Sequence, residues 1–146
     1  MTEAGEGGQV VGEVFGVHIP FIAHCGIEAL EVVDGRTRLR LVPGPSSVNQ
    51  LGIAHGGLIA TLLDVAMGSA ARHAAGRAVM TLDMHVAFLS PGRGTLIAEG
   101  RVTRAGRSVI FCEADIRDEA GGLVAKSTGL MKPVRAEPAP QSTSAA

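Results

Sequence analysis

The chain has 146 residues, of which 46% are hydrophobic and 18% charged, and its formal net charge is −1. This length suits one packed domain and excludes a multidomain enzyme, and the near-neutral charge excludes nucleic-acid binding through bulk positive charge. The chain has no apolar run of about 18 residues, and residues 1–10 contain no Lys or Arg, so neither a membrane span nor a secretory signal is predicted. The expected location is the cytoplasm.

Cysteine usage limits the chemistry. Cys25 and Cys112 are too few for a disulfide framework, and no C-x-x-C pair or His/Cys cluster offers a metal site. We therefore expect neither a bound metal nor a separate cofactor.

The composition divides the chain into one domain and two flexible ends. Residues 1–10 are rich in Gly and Glu, and residues 133–146 contain three prolines but no large aliphatic side chain after Val134. Segments of this kind cannot bury enough apolar surface to become ordered. We expect a flexible N-terminus, a single domain over residues 11–132 and a disordered C-terminal tail.

The first predicted elements are a short helix or turn over residues 11–23 and a β-hairpin. The hairpin strands, residues 27–33 and 36–42, flank Asp34-Gly35, a dipeptide typical of a two-residue turn because Gly tolerates positive φ. In the second strand arginines alternate with smaller or apolar side chains, so one face should be solvated and the other buried. The residues expected on the buried face are Thr37, Leu39 and Leu41.

A long helix is predicted in the middle of the chain. Residues 43–52 are rich in turn formers and should end the hairpin. Residues 56–75 then contain, besides His73, only Asp64 and Arg72 as acidic or basic side chains. At 1.5 Å per residue such a helix would be about 30 Å long, and its apolar composition predicts a central position.

Alternating polarity returns after this helix. Four further strands are predicted, over residues 79–89, 95–104, 107–118 and 122–132. Short segments with turn chemistry join them, which favours an antiparallel meander over βαβ units. In the first of these strands the even positions from Met80 to Phe88 are apolar, whereas Thr81, Asp83 and His85 share the other face. The pattern predicts an α+β fold, with a curved antiparallel sheet of about six strands around one helix.

Asp64 is the first candidate for chemistry, because an ionised carboxylate buried without a partner in an apolar helix costs several kcal/mol. Bulky side chains lie on the side or opposite face of the helix, whereas mainly small residues share the face of Asp64. This arrangement leaves room beside the carboxylate for a second helix, a ligand or both. The residues predicted on that face are Gly57, Ala60, Thr61, Met67, Gly68 and Ala71.

The start of the same helix is the second candidate. Asn49 precedes His55-Gly56-Gly57 by six residues, and two glycines there would expose backbone N–H groups that have no intrahelical acceptor. With the helix dipole, these N–H groups can stabilise a developing oxyanion. We predict that the Gly56 N–H polarises a substrate carbonyl, and that Asn49 adds an amide donor.

The spacing of the two candidates imposes a condition. Gly56 and Asp64 are eight residues apart, or about 12 Å along a helix at 1.5 Å per residue. Both groups therefore cannot contact one carbonyl from the same chain. If they act together, the helix start of one copy must meet the helix middle of another, and an obligate dimer is predicted.

The combination of motifs resembles a known family. Asn49, His55-Gly56-Gly57 and Asp64, followed by Phe88-Leu-Ser-Pro, are similar to the hotdog-fold acyl-CoA thioesterases of the phenylacetate-degradation and 4-hydroxybenzoyl-CoA thioesterase type. The resemblance implies a six-stranded sheet around the helix, a homodimer with a continuous sheet, and a tetramer of two dimers. The implied substrate is an aryl- or medium-chain acyl-CoA, with coenzyme A as part of the substrate.

The resemblance also implies roles for individual residues. Asp64 takes the position of the catalytic carboxylate, Gly56 that of the carbonyl-polarising N–H, and Asn49 that of its polar partner across the subunit boundary. His55 matches the motif histidine, and Thr81 the position that helps hold the attacking water. Strict strand alternation would point Thr81 away from Asp64 unless a bulge, a twist or the partner chain intervenes. Candidate substrate-binding residues are Gly57, Met67, Gly68, Phe88, Arg104 and Arg107, the two arginines as contacts for coenzyme A phosphates.

Alternatives stay open at this point. His55 is also a helix N-cap, Asn49 also a turn former, and the two arginines also part of a solvated hairpin. The carboxylate either activates water or attacks directly to form a mixed anhydride. At the level of function, a hydratase or dehydratase of acyl thioesters and a non-catalytic acyl-CoA binding module are the competing interpretations.

Overall fold

The computed structural model describes residues 12–135. The predicted flexible N-terminus lies outside the described residues, as does the predicted tail from residue 136 onward. The elements in chain order are β1 (Glu13–Val14), β2 (Val17–His18), α1 (Pro20–Cys25), β3 (Glu28–Val33), β4 (Arg36–Leu41), a 3-10 turn (Pro45–Ser47), α2 (Gly56–Ala75), β5 (Val79–Phe88), β6 (Leu96–Ala105), β7 (Ile110–Arg117) and β8 (Leu123–Pro133).

Six strands form one antiparallel sheet in the order β3-β4-β6-β7-β8-β5, and α2 packs on one of its faces. This arrangement confirms the predicted architecture of one long helix on a six-stranded antiparallel sheet. Helix α2 has the predicted bounds. It begins after His55 and ends at Gly76, whose positive φ of 68° lets its N–H bond to the carbonyl of Arg72.

Helix α2 lies very close to the middle of the sheet, and small residues permit this approach. A Cβ atom on Gly100 of β6 would lie only 2.1 Å from the carbonyl oxygen of Ala66, so no other residue fits there. The hydroxyl of Thr37 donates to the same oxygen at 2.8 Å and has no exposed surface. The buried polar group is therefore satisfied, and the helix is held against β4 and β6 at the level of Asp64.

The predicted hairpin is confirmed as β3 and β4, within one residue at each end. Asp34 and Gly35 have φ values of 51° and 73°, the two positive angles of a type I′ turn. The expected buried face of β4 is fully buried, and its arginines are paired with glutamates on the outer face. These exposed pairs contribute little stability but keep that face solvated.

The predicted four-stranded meander is wrong for its first member. Strand β5 pairs with β8 at the edge of the sheet and not with β6, so only β6, β7 and β8 form a meander. Residues 89–95 cross the end of the sheet and make no tight turn. They span three strand spacings, about 14 Å, well within the reach of about 23 Å for seven extended residues. The turn-forming composition of residues 89–95 does not indicate how many strands the connection crosses.

The expectation for residues 11–23 also needs correction. The short helix there, α1, begins only at Pro20, and a small hairpin of β1 and β2 precedes it. Its turn residues Phe15 and Gly16 both have positive φ. Val14 and Ile22 are buried and attach this segment to the main core.

Both cysteines are free thiols, and neither thiol has a hydrogen-bond partner within residues 12–135. Cys112 is buried in the core, where burial raises the pKa of its thiol to about 11. Burial also raises the pKa of the half-buried Cys25 thiol. Both groups are therefore protonated at neutral pH, which makes them poor nucleophiles.

Neither helix in residues 12–135 combines the length and the hydropathy that crossing a bilayer requires.

Candidate active site

Two cavities open along α2, at its start and beside its middle. The first, called the start cavity, has a volume of about 310 Å³ and is lined by Asn49, Gly56 and Phe88, among others. The second, called the flank cavity, has a volume of about 410 Å³ and contains Asp64 and Thr81 in its wall. The candidate residues thus fall into two groups that one chain keeps apart.

His55 shapes the helix start as its N-cap. Its Nδ1 atom accepts a hydrogen bond from the Gly57 N–H at 2.9 Å, and its carbonyl accepts from the N–H groups of Leu58 and Ile59. The Gly57 N–H is therefore already used. Within the part of the chain that the structure describes, the Gly56 N–H has no acceptor. That group is available to a ligand, and the helix dipole favours negative charge on it.

Asn49 orders the loop before the helix through its side-chain oxygen. Its Oδ1 atom accepts from the N–H of Leu51 at 2.9 Å and from that of Ile53 at 3.4 Å. These bonds assign the oxygen inward and leave the amide Nδ2 as a donor without a partner in residues 12–135. Asn49 is therefore both the turn former and a remaining donor at the start cavity.

Phe88 limits the space above the helix start. A Cβ atom on Gly56 would lie 3.5 Å from the Phe88 ring, so the ring packs directly over this glycine. The ring is nevertheless 60% exposed. It forms an apolar wall on one side of the start cavity.

Asp64 and Thr81 meet at the flank cavity. The Thr81 hydroxyl donates to the Oδ1 atom of Asp64 at 2.6 Å, a short bond to an ionised acceptor. Asp64 is half-buried, and its Oδ2 atom accepts no hydrogen bond from any described residue. One carboxylate oxygen is thus held by Thr81, and the other has no donor among the described residues that line the flank cavity.

A β-bulge explains how Thr81 reaches Asp64. In the pairing of β5 with β8, Thr81 lies opposite Met131 and Asp83 opposite Leu130, which leaves Leu82 as the extra residue. Before the bulge the odd position Thr81 faces α2. After it the even positions from Met84 onward do so, as Met84 and Val86 pack against the core. The expected strict alternation is therefore wrong at Met80 and Leu82, which are 57% and 51% exposed.

The remaining candidate residues fall into different surroundings. Gly68 lines the flank cavity, one helical turn after Asp64. Met67 has no exposed surface and packs over Gly129 in the core, so it does not line the cavity. Arg104 and Arg107 are exposed at the β6–β7 hairpin and line neither cavity.

The chain matches a known protein family over the part that contains most of this geometry. The model of the thioesterase superfamily matches residues 51–125, from the last residues of the loop before α2 through α2 and strands β5 to β7 to the start of β8. The chain belongs to the thioesterase superfamily. Its reaction is thioester hydrolysis, and its sheet and central helix are the hotdog fold of that family. The resemblance noted in the sequence is confirmed at this level.

Among curated relatives, the thioesterase is similar to the medium/long-chain acyl-CoA thioesterase YigI of Salmonella typhimurium. The two are 30% identical over 138 residues, which cover 82% of this chain and 89% of YigI.

Solved structures agree on the fold. The Streptococcus mutans protein smu.793, whose structure is bound to acetyl CoA, matches with a TM-score of 0.69 and 27% identity, over 74% of this chain and 88% of that one. The Escherichia coli PaaI protein from the phenylacetic acid degradation operon matches with a TM-score of 0.75 and 22% identity, over 80% and 86%. At that identity PaaI shows the fold alone.

Part of the flank cavity is formed by residues that the sequence analysis did not assign to a site. Val17, Ile19 and Phe21 form part of its wall, and Arg72 lies there two helical turns after Asp64. A sequence signal existed for each. Arg72 is the single cation before the end of an apolar helix, and the three apolar residues alternate along the chain.

Proposed function

We propose that this thioesterase hydrolyses an aryl- or medium-chain acyl-CoA to the free acid and coenzyme A. The observation that carries the proposal is the Asp64 carboxylate, which is bonded through Oδ1 to Thr81 and lies in the wall of a mainly apolar cavity. A carboxylate in that setting accepts a proton from water, and the apolar walls suit an acyl chain. The relatives support coenzyme A as the thiol, since one is named an acyl-CoA thioesterase and another is bound to acetyl CoA.

In the proposed reaction, Asp64 Oδ2 takes a proton from water as the water oxygen forms a bond to the thioester carbon. The negative charge that develops on the carbonyl oxygen is stabilised by the Gly56 N–H and the Asn49 amide. When this intermediate collapses, the carbon–sulfur bond breaks and the thiolate receives the proton from Asp64. Thr81 keeps the carboxylate in one orientation throughout.

The proposed site needs two copies of the chain. Gly56 lies eight residues before Asp64 on the same helix, about 12 Å away along its axis, so one carbonyl cannot contact both. Strand β5 offers a route for association, because it is an edge strand with exposed Met80 and Leu82 beside Thr81. Antiparallel pairing of two β5 strands would continue the sheet and bring two helices together. We further propose that two such dimers form a tetramer.

A complementation experiment tests this arrangement. Asp64→Asn removes the base, and Gly56→Pro removes one N–H at a position where Pro is normal in helices. Each variant alone should be nearly inactive. Co-expressed with different tags, they should form mixed dimers with one intact site, so that random pairing restores about a quarter of wild-type activity. If both groups acted within one chain, the mixture would stay inactive.

Release of free thiol from a panel of acyl-CoA substrates tests the reaction itself. Thiol release in proportion to free acid is expected. A hydratase or dehydratase would change the acyl group without releasing thiol, and a binding module would do neither. Single turnover in water labelled with oxygen-18 should put the label in the acid product. An unlabelled first product would instead indicate a mixed anhydride with Asp64.

A further inference from the structure

The outer wall of the flank cavity is a separate small segment, residues 12–25. It consists of β1, β2 and α1, and its two strands form a sheet of their own and are not members of the six-stranded sheet. Two of its residues, Val14 and Ile22, are buried against the core. The segment therefore covers one side of α2 next to Asp64 and leaves the 410 Å³ flank cavity beneath it.

The inner surface of this segment consists of large apolar side chains that are partly exposed. Val17, Ile19 and Phe21 line the flank cavity and are 37%, 38% and 58% exposed. Large apolar side chains that line a cavity and remain exposed are typical of a surface that an apolar ligand covers. The cavity is continuous with Asp64 and Thr81, so the group that fits it is the one attached to the reacting carbonyl.

Arg72 holds this wall in position. Its Nη2 atom donates to the backbone oxygen of Val14 at 2.8 Å and to that of Phe15 at 3.0 Å, at the turn between β1 and β2. A hairpin of two two-residue strands has little stability of its own, so its position depends on such contacts. Arg72 also lies in the cavity wall, about 12 Å beyond Asp64 along the helix.

Gly68 keeps the path between Asp64 and Arg72 open. Glycine stabilises a helix less than alanine does, because its backbone loses more conformational freedom on folding. Yet a Cβ atom on Gly68 would meet nothing within 4 Å, so the packing of this chain does not demand the glycine. The free space lies in the flank cavity, midway along its length.

We propose that the flank cavity is the acyl-chain subsite and that Arg72 sets its length by holding residues 12–25 across the far end. The occupant is the unsubstituted apolar acyl chain of the substrate, which runs from Asp64 past Gly68 and ends before Arg72. The proposal rests on the proposed acyl-CoA hydrolysis. In this role Arg72 is a positioning residue, because its hydrogen bonds go to the protein backbone.

The first test compares kcat/KM over straight acyl-CoA substrates of increasing length. Wild-type protein should show a maximum and then a decline once the chain reaches Arg72. Arg72→Met keeps a long side chain but removes the donors, so the maximum should move to longer chains. For the best wild-type substrate, KM should rise roughly tenfold with little change in kcat. The control is Arg77→Met, which changes an exposed arginine just after α2.

A second readout does not need turnover. In Arg72→Met, backbone hydrogen exchange of residues 13–18 should become faster, while exchange in β6 and β7 stays unchanged. An unchanged length profile with faster exchange would overturn the proposal, because the wall would then move without affecting the substrate. Global unfolding of the variant would show as faster exchange in β6 and β7. In that case the Gly68 variants test whether the flank cavity is the acyl-chain subsite.

Substitutions at Gly68 block the subsite from inside. In the series Gly68→Ala, Gly68→Val and Gly68→Leu, the ratio of kcat/KM for long to short acyl chains should fall stepwise, by roughly tenfold or more at leucine. Ala74→Leu adds the same side chain at an exposed position of α2 and should leave the ratio unchanged. A constant ratio through the Gly68 series would place the acyl chain elsewhere.

Two further outcomes separate the possible failures. If substrates with a terminal carboxylate are hydrolysed faster than methyl-terminated chains of equal length, Arg72 binds the substrate directly and the positioning role is wrong. If no acyl-CoA releases thiol, the proposed function fails and not only its subsite. Thiol release with no dependence on chain length would leave the proposed function standing and overturn the subsite.

Discussion

The start and the middle of α2 are built in different ways. At the start, residues 49–57 are close in sequence and shape themselves, through the Asn49 side chain and the His55 cap. In the middle, Asp64 meets Thr81 only because β5 returns along the helix with a bulge at Leu82. The first region supplies backbone and amide donors, and the second supplies a held carboxylate. Damage to either should therefore have a distinct signature in activity and stability.

The largest effect should come from Asp64→Asn in the middle region. The amide cannot accept a proton from water, and general base catalysis contributes about 10²–10⁴-fold, so kcat should fall by about 10³-fold. The fold should be unaffected, because Asp64 is half-buried and the amide can still bond to Thr81. Kinetics of thiol release measure the change. Asp83→Asn, an exposed carboxylate two residues after Thr81, is the matched control; equal losses in both variants would contradict the assignment.

At the helix start, Gly56→Pro should reduce kcat by about 10²-fold or more, because it removes an oxyanion donor. The backbone accepts this change, since His55 is extended, with φ −60° and ψ 139°, as a residue before proline must be. A Cβ there also clears the Phe88 ring at 3.5 Å. Gly56→Ala keeps the N–H and should lose little activity. If both variants were equally impaired, the cause would be steric.

Thr81→Val tests how much the middle region depends on orientation. The substitution preserves shape but removes the hydroxyl that bonds to Asp64 Oδ1. We expect kcat to fall about tenfold, which corresponds to about 1.4 kcal/mol. This is just below the range of about 1.5–3 kcal/mol for a hydrogen bond to a charged group. Thr81→Ser should restore most of the rate. A Val variant with full activity would mean that the bulge places Thr81 near Asp64 without consequence for the reaction.

The smallest effect on activity is expected at His55. Loss of its cap in His55→Ala should cost about 1 kcal/mol of folding free energy and lower the Tm by about 4 °C. The rate should change only a few-fold, because the imidazole acts by ordering Gly57. His55→Asn keeps a capping oxygen and should recover the Tm. A loss of activity above 100-fold, with Tm restored in the Asn variant, would assign His55 a direct chemical role.

Local patterns predicted much of this molecule. The bounds of α2, the turn at Asp34-Gly35 and the buried face of β4 all follow from period, caps and turn chemistry within a few residues. The same holds for His55, Gly56 and Asn49, whose relation is set by one short loop. Because α2 is a regular helix, the separation of Gly56 from Asp64 follows from their spacing in the sequence.

The neighbours of β5 could not be read in this way. The alternation of polar and apolar residues along a strand does not identify its neighbours in the sheet. The turn formers of residues 89–95 are compatible with a tight turn or with a connection that crosses the end of the sheet. The bulge at Leu82 has no local sequence signal either, because this apolar residue continues the alternation of the strand. It arises because β5 must match β8 on one side and α2 on the other.

The sequence by itself determined the helix, the hairpin, the backbone and amide donors at the helix start, and the presence of a carboxylate eight residues further along the helix. Tertiary structure alone decided that Thr81 holds that carboxylate, that Met67 belongs to the core, and that residues 12–25 are held by Arg72 as a wall. The physical reason is range: caps, turns and helical periods act over a few residues, whereas a cavity is defined by side chains that meet only when distant segments pack.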